Sequence, residues 1–173
     1  AERARDAVDS YLGAGPPAFW LTFDAEIQER YDRFMRAADE AGAKLSFNFM
    51  NDDERGATHM VIYAQDHSGL FADIARALAL VGVSVVDAKI LTFSNGTALD
   101  TFSLQDQQGH AITAESRIAR IKSRVRDTLE GRVRFKVELP KMASRLPERA
   151  RALEVPPRVI IDNTASKMCS VIE

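Results

Sequence analysis

Six consecutive residues offer the clearest chemistry in the chain: Asp66-His67-Ser68-Gly69-Leu70-Phe71. They stand between a strand-like apolar run and a run with helical apolar spacing. A loop that feeds a helix exposes backbone N–H groups with no intrahelical acceptor, and these carry partial positive charge that suits an anion. Gly69 lets the backbone approach a ligand closely, and Asp66 places a negative charge beside the same amides. A carboxylate on the N–H groups near Gly69 and Leu70, with an ammonium on Asp66, describes a free α-amino acid. The same residues also read as plain structure, with Ser68 as a helix N-cap and Gly69 as a turn residue.

Other chemistry is sparse. The chain has no adjacent His-Asp pair of the kind a metal hydrolase uses and no Gly-Ser followed by paired aspartates to hold two metals. It has no P-loop. His59, His67 and His110 fall in three separate elements without ligand spacing, and His67 reads as a site-lining or turn residue. No catalytic residue, metal ligand or cofactor is therefore expected. Thirteen bases run from Arg117 to Arg158 with few acids between them, which reads as a solvated helix face followed by a linker rather than a nucleic-acid surface. The lone cysteine, Cys169, cannot form an internal disulfide and reads as a buried structural residue. With no secretory leader, a reducing cytoplasmic setting is expected. Apolar residues make up 46% and charged ones 28%, as in an ordinary soluble globular protein, and no apolar run approaches the roughly 20 residues of a membrane span. The first residue is Ala, so the chain is expected to be a piece of something longer.

The elements that must position the loop follow from periodicity. Residues 2–12 have helical character up to Gly13, and Gly13-Ala14-Gly15-Pro16-Pro17 is a breaker. Phe19, Trp20 and Phe23 form an aromatic patch that must pack on something. Asp24 is placed to cap a helix over 25–41, striped by Ile27, Tyr31, Phe34, Met35 and Ala38. Strands follow at 44–51 and 58–65, and the second is apolar enough to be buried. A helix over 69–81 carries Leu70, Ile74, Ala77 and Leu78 on one face. A long β-branched strand at 83–93 turns through Asn95-Gly96 into a partner strand at 97–105. Thr113 is placed to cap a helix over 114–130, and 132–139 alternates as a strand with one wet face. The order over 57–139 is βαββαβ. That predicts an α+β, ferredoxin-like sandwich, an antiparallel sheet with two helices on one face, preceded by a helical segment and an added hairpin strand. Beyond a linker at 140–157, strands at 158–163 and 168–173 repeat the pattern of 44–65, as though a second unit begins and is cut off.

The stretch DHSGLFADIARALALVGVSVVDAKILTFSNGTALDTFSLQD resembles an ACT domain, whose pattern is D-x-x-G-L, a helix, a strand opened by Gly, and a hairpin. It is most similar to the first ACT domain of the bacterial PII uridylyltransferase/uridylyl-removing family. The flanks PPAFWLTFD and LPERARALEVPPRVIIDNTASKMCSVIE agree. The resemblance implies residues 1–43 as a helical linker from an upstream HD domain, 44–139 as the ACT domain with its preceding strand, and 158–173 as the start of a second one. It implies a non-catalytic, glutamine-sensing regulatory module of an enzyme that attaches UMP to the PII protein and removes it. That enzyme's upstream domains would use Mg and UTP. It also implies a ligand site shared between two ACT domains, of one chain or of a homodimer. Asp66, His67, Ser68, Gly69 and Leu70 would form the loop half, and Val85 and Asp87, on the second strand, the partner half. Gly69→Val is then expected to abolish binding with little unfolding.

Two rivals share the element order. An RNA-recognition module would stack bases on Tyr63 and Phe102, though no Lys/Arg-Gly-Phe run accompanies them. A structural dimerisation domain would bind no amino acid at all.

Overall fold

The computed structural model describes residues 15–134 and the strand pair at 161–162 and 171–172. These fall in two compact units, Ala1–Lys136 and Val137–Glu173. The helix expected over 2–12, the linker 140–157, Cys169 and residues 135–139 of the last expected strand lie outside the described residues.

In the first unit, helices α1 (Pro17–Thr22) and α2 (Ala25–Glu40) precede strands β1 (Leu45–Asp52) and β2 (Ala57–Gln65). Then come α3 (Leu70–Leu80), β3 (Ser84–Lys89), β4 (Thr97–Gln105) and α4 (Glu115–Leu129). The strands form one antiparallel sheet in the order β1-β2-β4-β3. This is the expected α+β, ferredoxin-like arrangement, with one difference in the source of the fourth strand. β1 fills the edge beside β2, so that strand comes from upstream of the βαββα run. Residues 132–134 carry no strand.

Strand alternation divides two cores. Met60, Ile62, Phe102 and Leu104 face the helices, where they meet Leu70, Ile74, Leu78, Ile121 and Val125. Val61, Tyr63 and Leu99 point the other way, onto Phe19, Tyr31, Met35 and Ala38 of α1 and α2, with Leu91 and Phe93. The expectation of helices on one face holds for α3 and α4, but the second face is covered too, which makes three layers. Phe19 is the aromatic that had to pack on something: it is fully buried, edge-on to Phe23 and to Phe93 at 5.6 Å each. Asp24 caps α2 as its position implies, accepting from the Ile27 N–H at 2.9 Å.

Two caps differ. α4 begins after Ala114 with no side-chain cap, so Thr113 does not serve as one. α3 begins after Gly69, again without a side-chain cap, so Ser68 is not an N-cap. The strand expected over 83–93 is also shorter: pairing with β4 stops at Lys89 and resumes only as the single bridge Thr92↔Ala98.

Thr58 pins the loop before α4 to the sheet. Its buried hydroxyl donates to the Ile112 carbonyl at 3.0 Å and accepts from the Ile112 N–H at 2.8 Å. Thr58→Val keeps the shape and strands both backbone groups, so it is expected to cost about 1–2 kcal/mol. Denaturant unfolding measures this, and an unchanged midpoint would show the loop relaxing onto water.

In the second unit, β5 (Ile161–Asp162) pairs antiparallel with β6 (Val171–Ile172). Both lie within the strands expected there.

Candidate functional site

The loop after β2 is built on a left-handed glycine. Gly69 has φ of +91°, and a Cβ placed there would meet nothing within 4 Å. Glycine is thus required by backbone conformation and opens onto free space rather than onto packed neighbours. The cost of a side chain at 69 is one of backbone strain, about 1–2 kcal/mol, with no clash to add to it.

The loop's hydrogen bonds redraw the anion-binding half. The Leu70 N–H donates to the His67 carbonyl at 3.1 Å, and the Asp73 N–H to the Gly69 carbonyl at 2.9 Å. The Leu70 amide is therefore used internally. The first-turn N–H groups of Phe71 and Ala72 are the donors without an acceptor among the described residues. Leu70's side chain belongs to the core, while His67, Ser68 and Gly69 are exposed and Asp66 is half-buried. Asp66 is fixed at both ends: its N–H donates to the Gly96 carbonyl at 2.9 Å, and its Oδ2 accepts from Thr92 Oγ1 at 2.8 Å. A cleft of about 250 Å³ beside the loop is lined by Lys44, Gln65, His67, Leu70 and Glu130, among others.

Val85 and Asp87 do not join this cluster. They pair with Leu104 and Ser103, whereas the loop leaves β2 where Gln65 pairs with Thr97, at the other end of β4. Val85, Val86 and Ile90 are exposed along or just beyond β3, an edge strand with one neighbour. Asp87 is held below the usual carboxylate range, first by its 2.7 Å hydrogen bond from Lys89. Within one chain the two sets of site residues stay apart.

One polar array escapes sequence reasoning. His59 stands between Asp52 and Ser103, its Nε2 3.0 Å from Asp52 Oδ2 and its Nδ1 3.0 Å from Ser103 Oγ. The hydrogen bond from His59 is the largest cause of Asp52's lowered pKa. The order matches relays that activate a hydroxyl. However, Ser103 is largely buried in a central strand, and Asp87 pairs with it in register, which puts a negative charge where an oxyanion would form. The array links three strands rather than attacking a carbonyl. The signal for it is the cross-strand pairing His59↔Ser103, which exists only once the strand order is known.

The RNA reading loses its platform. Tyr63 and Phe102 are buried, and they face opposite sides of a sheet covered on both. Phe102 stacks on Phe71 at 6.0 Å rather than lying open to a base. The basic tract is partly engaged: Arg132 pairs with Asp127 and Glu130, Arg117 approaches Asp106, and Lys122 lies over the Phe49 ring. Among the described residues no group of three or more His, Cys, Asp or Glu side chains could hold a metal ion, and no helix is long and apolar enough to cross a membrane.

No family model matches the chain. It is 47% identical over 165 residues to a protein of Rhodospirillum rubrum named bifunctional uridylyltransferase/uridylyl-removing enzyme, a match covering 95% of the chain. Proteins of the same name from Azospirillum brasilense and Gluconobacter oxydans are 40% and 39% identical over 97% and 96% of it. The chain spans about 18% of the length of each of these relatives. Across nearly all of its own length, then, this chain is homologous to one stretch of the bifunctional uridylyltransferase/uridylyl-removing enzymes.

Proposed function

We propose that the first unit is an ACT-type regulatory domain of such an enzyme, that it senses glutamine, and that it carries no catalytic group itself. The observation that carries this reading is the loop at Gly69. A left-handed glycine opens onto free space, the amides of Phe71 and Ala72 lack acceptors among the described residues, and a carboxylate stands beside them at Asp66. That combination matches the two ends of a free amino acid.

The partner half comes from a second domain of the same kind. The exposed edge strand β3, with Val85, Val86 and Asp87, is the surface such a domain would meet. A ligand gripped between two domains stabilises that pairing by RT ln(1 + [L]/Kd) and so shifts its population. In the whole enzyme this shift would bias UMP attachment to the PII protein against its removal. Those two reactions, with Mg and UTP, belong to domains upstream.

Calorimetry with glutamine on the full-length enzyme and on this 173-residue chain tests the reading. The full-length enzyme is expected to bind, and the chain to bind weakly or not at all. Equal, tight binding by the chain alone would overturn the shared site, and no binding by either would overturn glutamine sensing. Full-length Gly69→Val is expected to lose glutamine binding while the domain stays folded. Normal affinity in that variant would place the site elsewhere. The exposed apolar edge at β3 also suits a purely structural pairing domain, which predicts no thermal shift with any amino acid.

A further inference from the structure

Asp100 is the most anomalous polar residue in the described structure. It lies mid-strand in β4, opposite Ile62 of β2, and is only 1% exposed. Alternation places it between Ala98 and Phe102 on the face that α3 and α4 cover. Neither carboxylate oxygen makes a well-formed hydrogen bond among the described residues, and the Leu91 N–H is the one backbone donor that acts on the group. A buried carboxylate short of donors is among the costliest arrangements in a protein, so each instance needs a reason.

Its surroundings point to the loop. The ladder between β3 and β4 runs to Lys89↔Thr101 and returns at Thr92↔Ala98, where the Leu91 carbonyl accepts from the Leu99 N–H at 2.8 Å, so the pairing is irregular beside Asp100. Thr92, which closes that gap, is the residue hydrogen-bonded to Asp66. Burial raises the Asp100 pKa, the Leu91 backbone N–H opposes it, and the charge of Asp66 adds a smaller upward push, which shows that the two carboxylates feel each other. Two carboxylates therefore share one neighbourhood at the β2–α3 loop end of the sheet.

Building on the amino-acid reading of this loop, we infer that Asp100 is a second anionic group of the same site, and that Asp66 and Asp100 together take the ligand's ammonium group. The ligand carboxylate takes the Phe71 and Ala72 amides. A site with two carboxylates selects primary ammonium compounds: it accepts an amino acid and rejects the same skeleton without its amine, whose lone carboxylate leaves both aspartates unbalanced.

The test is calorimetry on the full-length enzyme with glutamine and with 4-carbamoylbutanoate, which is glutamine without the amine. Wild type is expected to bind glutamine and not the deaminated analogue. Asp100→Asn, which keeps the shape and removes the charge, is expected to weaken glutamine binding by about tenfold or more, with the fold retained by circular dichroism. Equal binding of the analogue by wild type would overturn the inference whether or not the variant folds. So would unchanged glutamine affinity in a folded Asp100→Asn. A thermal upshift with ammonium chloride alone, matching that with glutamine, would overturn the ligand-ammonium version in favour of a free-cation site. If wild type binds no glutamine, the sensing reading fails first, which is a different result from an Asp100 variant that binds normally.

Discussion

Phe19→Ala is expected to lower the stability of the first unit by about 3–5 kcal/mol, the range for emptying a buried aromatic site. The ring is fully buried between α1 and the sheet, edge-on to Phe23 and Phe93, in the core that holds Tyr31, Met35, Val61 and Leu99. α1 is six residues long and cannot persist by itself, so its place on the sheet depends on that anchor. Urea unfolding of this chain, followed by far-ultraviolet dichroism, gives the number. A loss below about 1 kcal/mol would mean that the second face of the sheet is not packed as described.

This has a functional corollary. A helical segment that only tethered the sheet to something upstream would tolerate loss of Phe19. One that forms a third layer would not. Leu91 and Phe93, which share a core with Phe19, directly flank Thr92, the partner of Asp66. Packing of α1 against the sheet is thus continuous with the segment that closes the candidate site. In the proposed sensor, that contiguity offers a physical route from the ligand to whatever precedes α1.

How far the sequence carried the reading depended on the range of the interactions. The stripes of Ile74, Ala77 and Leu78, and of Ile121 and Val125, follow from helical spacing, and both helices lie where that spacing puts them. Asp24, Gly69 and Asn95-Gly96 act within a few residues of themselves and are equally legible. What failed is cross-strand. Ile90 and Leu91 are strong strand formers, so nothing local shows that the regular ladder stops at Lys89 and is carried on only by the Thr92↔Ala98 bridge and its flanking hydrogen bonds. Burial on both faces was half visible. Met60, Val61, Ile62 and Tyr63 leave no parity for water, but they do not say that α1 and α2 supply the cover. Within the site, the loop was legible because its chemistry is contiguous. Asp100 was not, since it reads as one polar residue in an ordinary alternating strand, and only burial without a well-formed hydrogen bond distinguishes it.

Asp100 also sets a pH dependence with a definite sign. Burial raises its pKa to about 6 against the pull of the Leu91 N–H, and the charge of Asp66 adds a smaller upward push. An unfolded aspartate titrates near ~3.9. The folded state therefore holds this proton more tightly than the unfolded chain does. Above pH ~7 both states are ionised, and the folded one bears the full cost of the buried charge. As pH falls through about 6 towards ~4, the folded carboxyl protonates first and the cost disappears, so stability rises on acidification. About two units correspond to about 3 kcal/mol in all, released progressively as pH falls from ~7 to below ~4, a little under half of it by pH ~5. Asp52 and Asp106 have lowered pKa values, so their contributions are lost only below pH ~4, outside this window. The measured quantity is the difference between wild type and Asp100→Asn at each pH, which cancels every group the two share. That difference is expected to move by about 1.4 kcal/mol between pH 8 and pH 5, favouring wild type at the acid end, whatever constant offset the asparagine amide adds. A flat difference across that range would show that the Asp100 carboxylate is solvated or paired in solution, and would remove its claim on a ligand's ammonium as well.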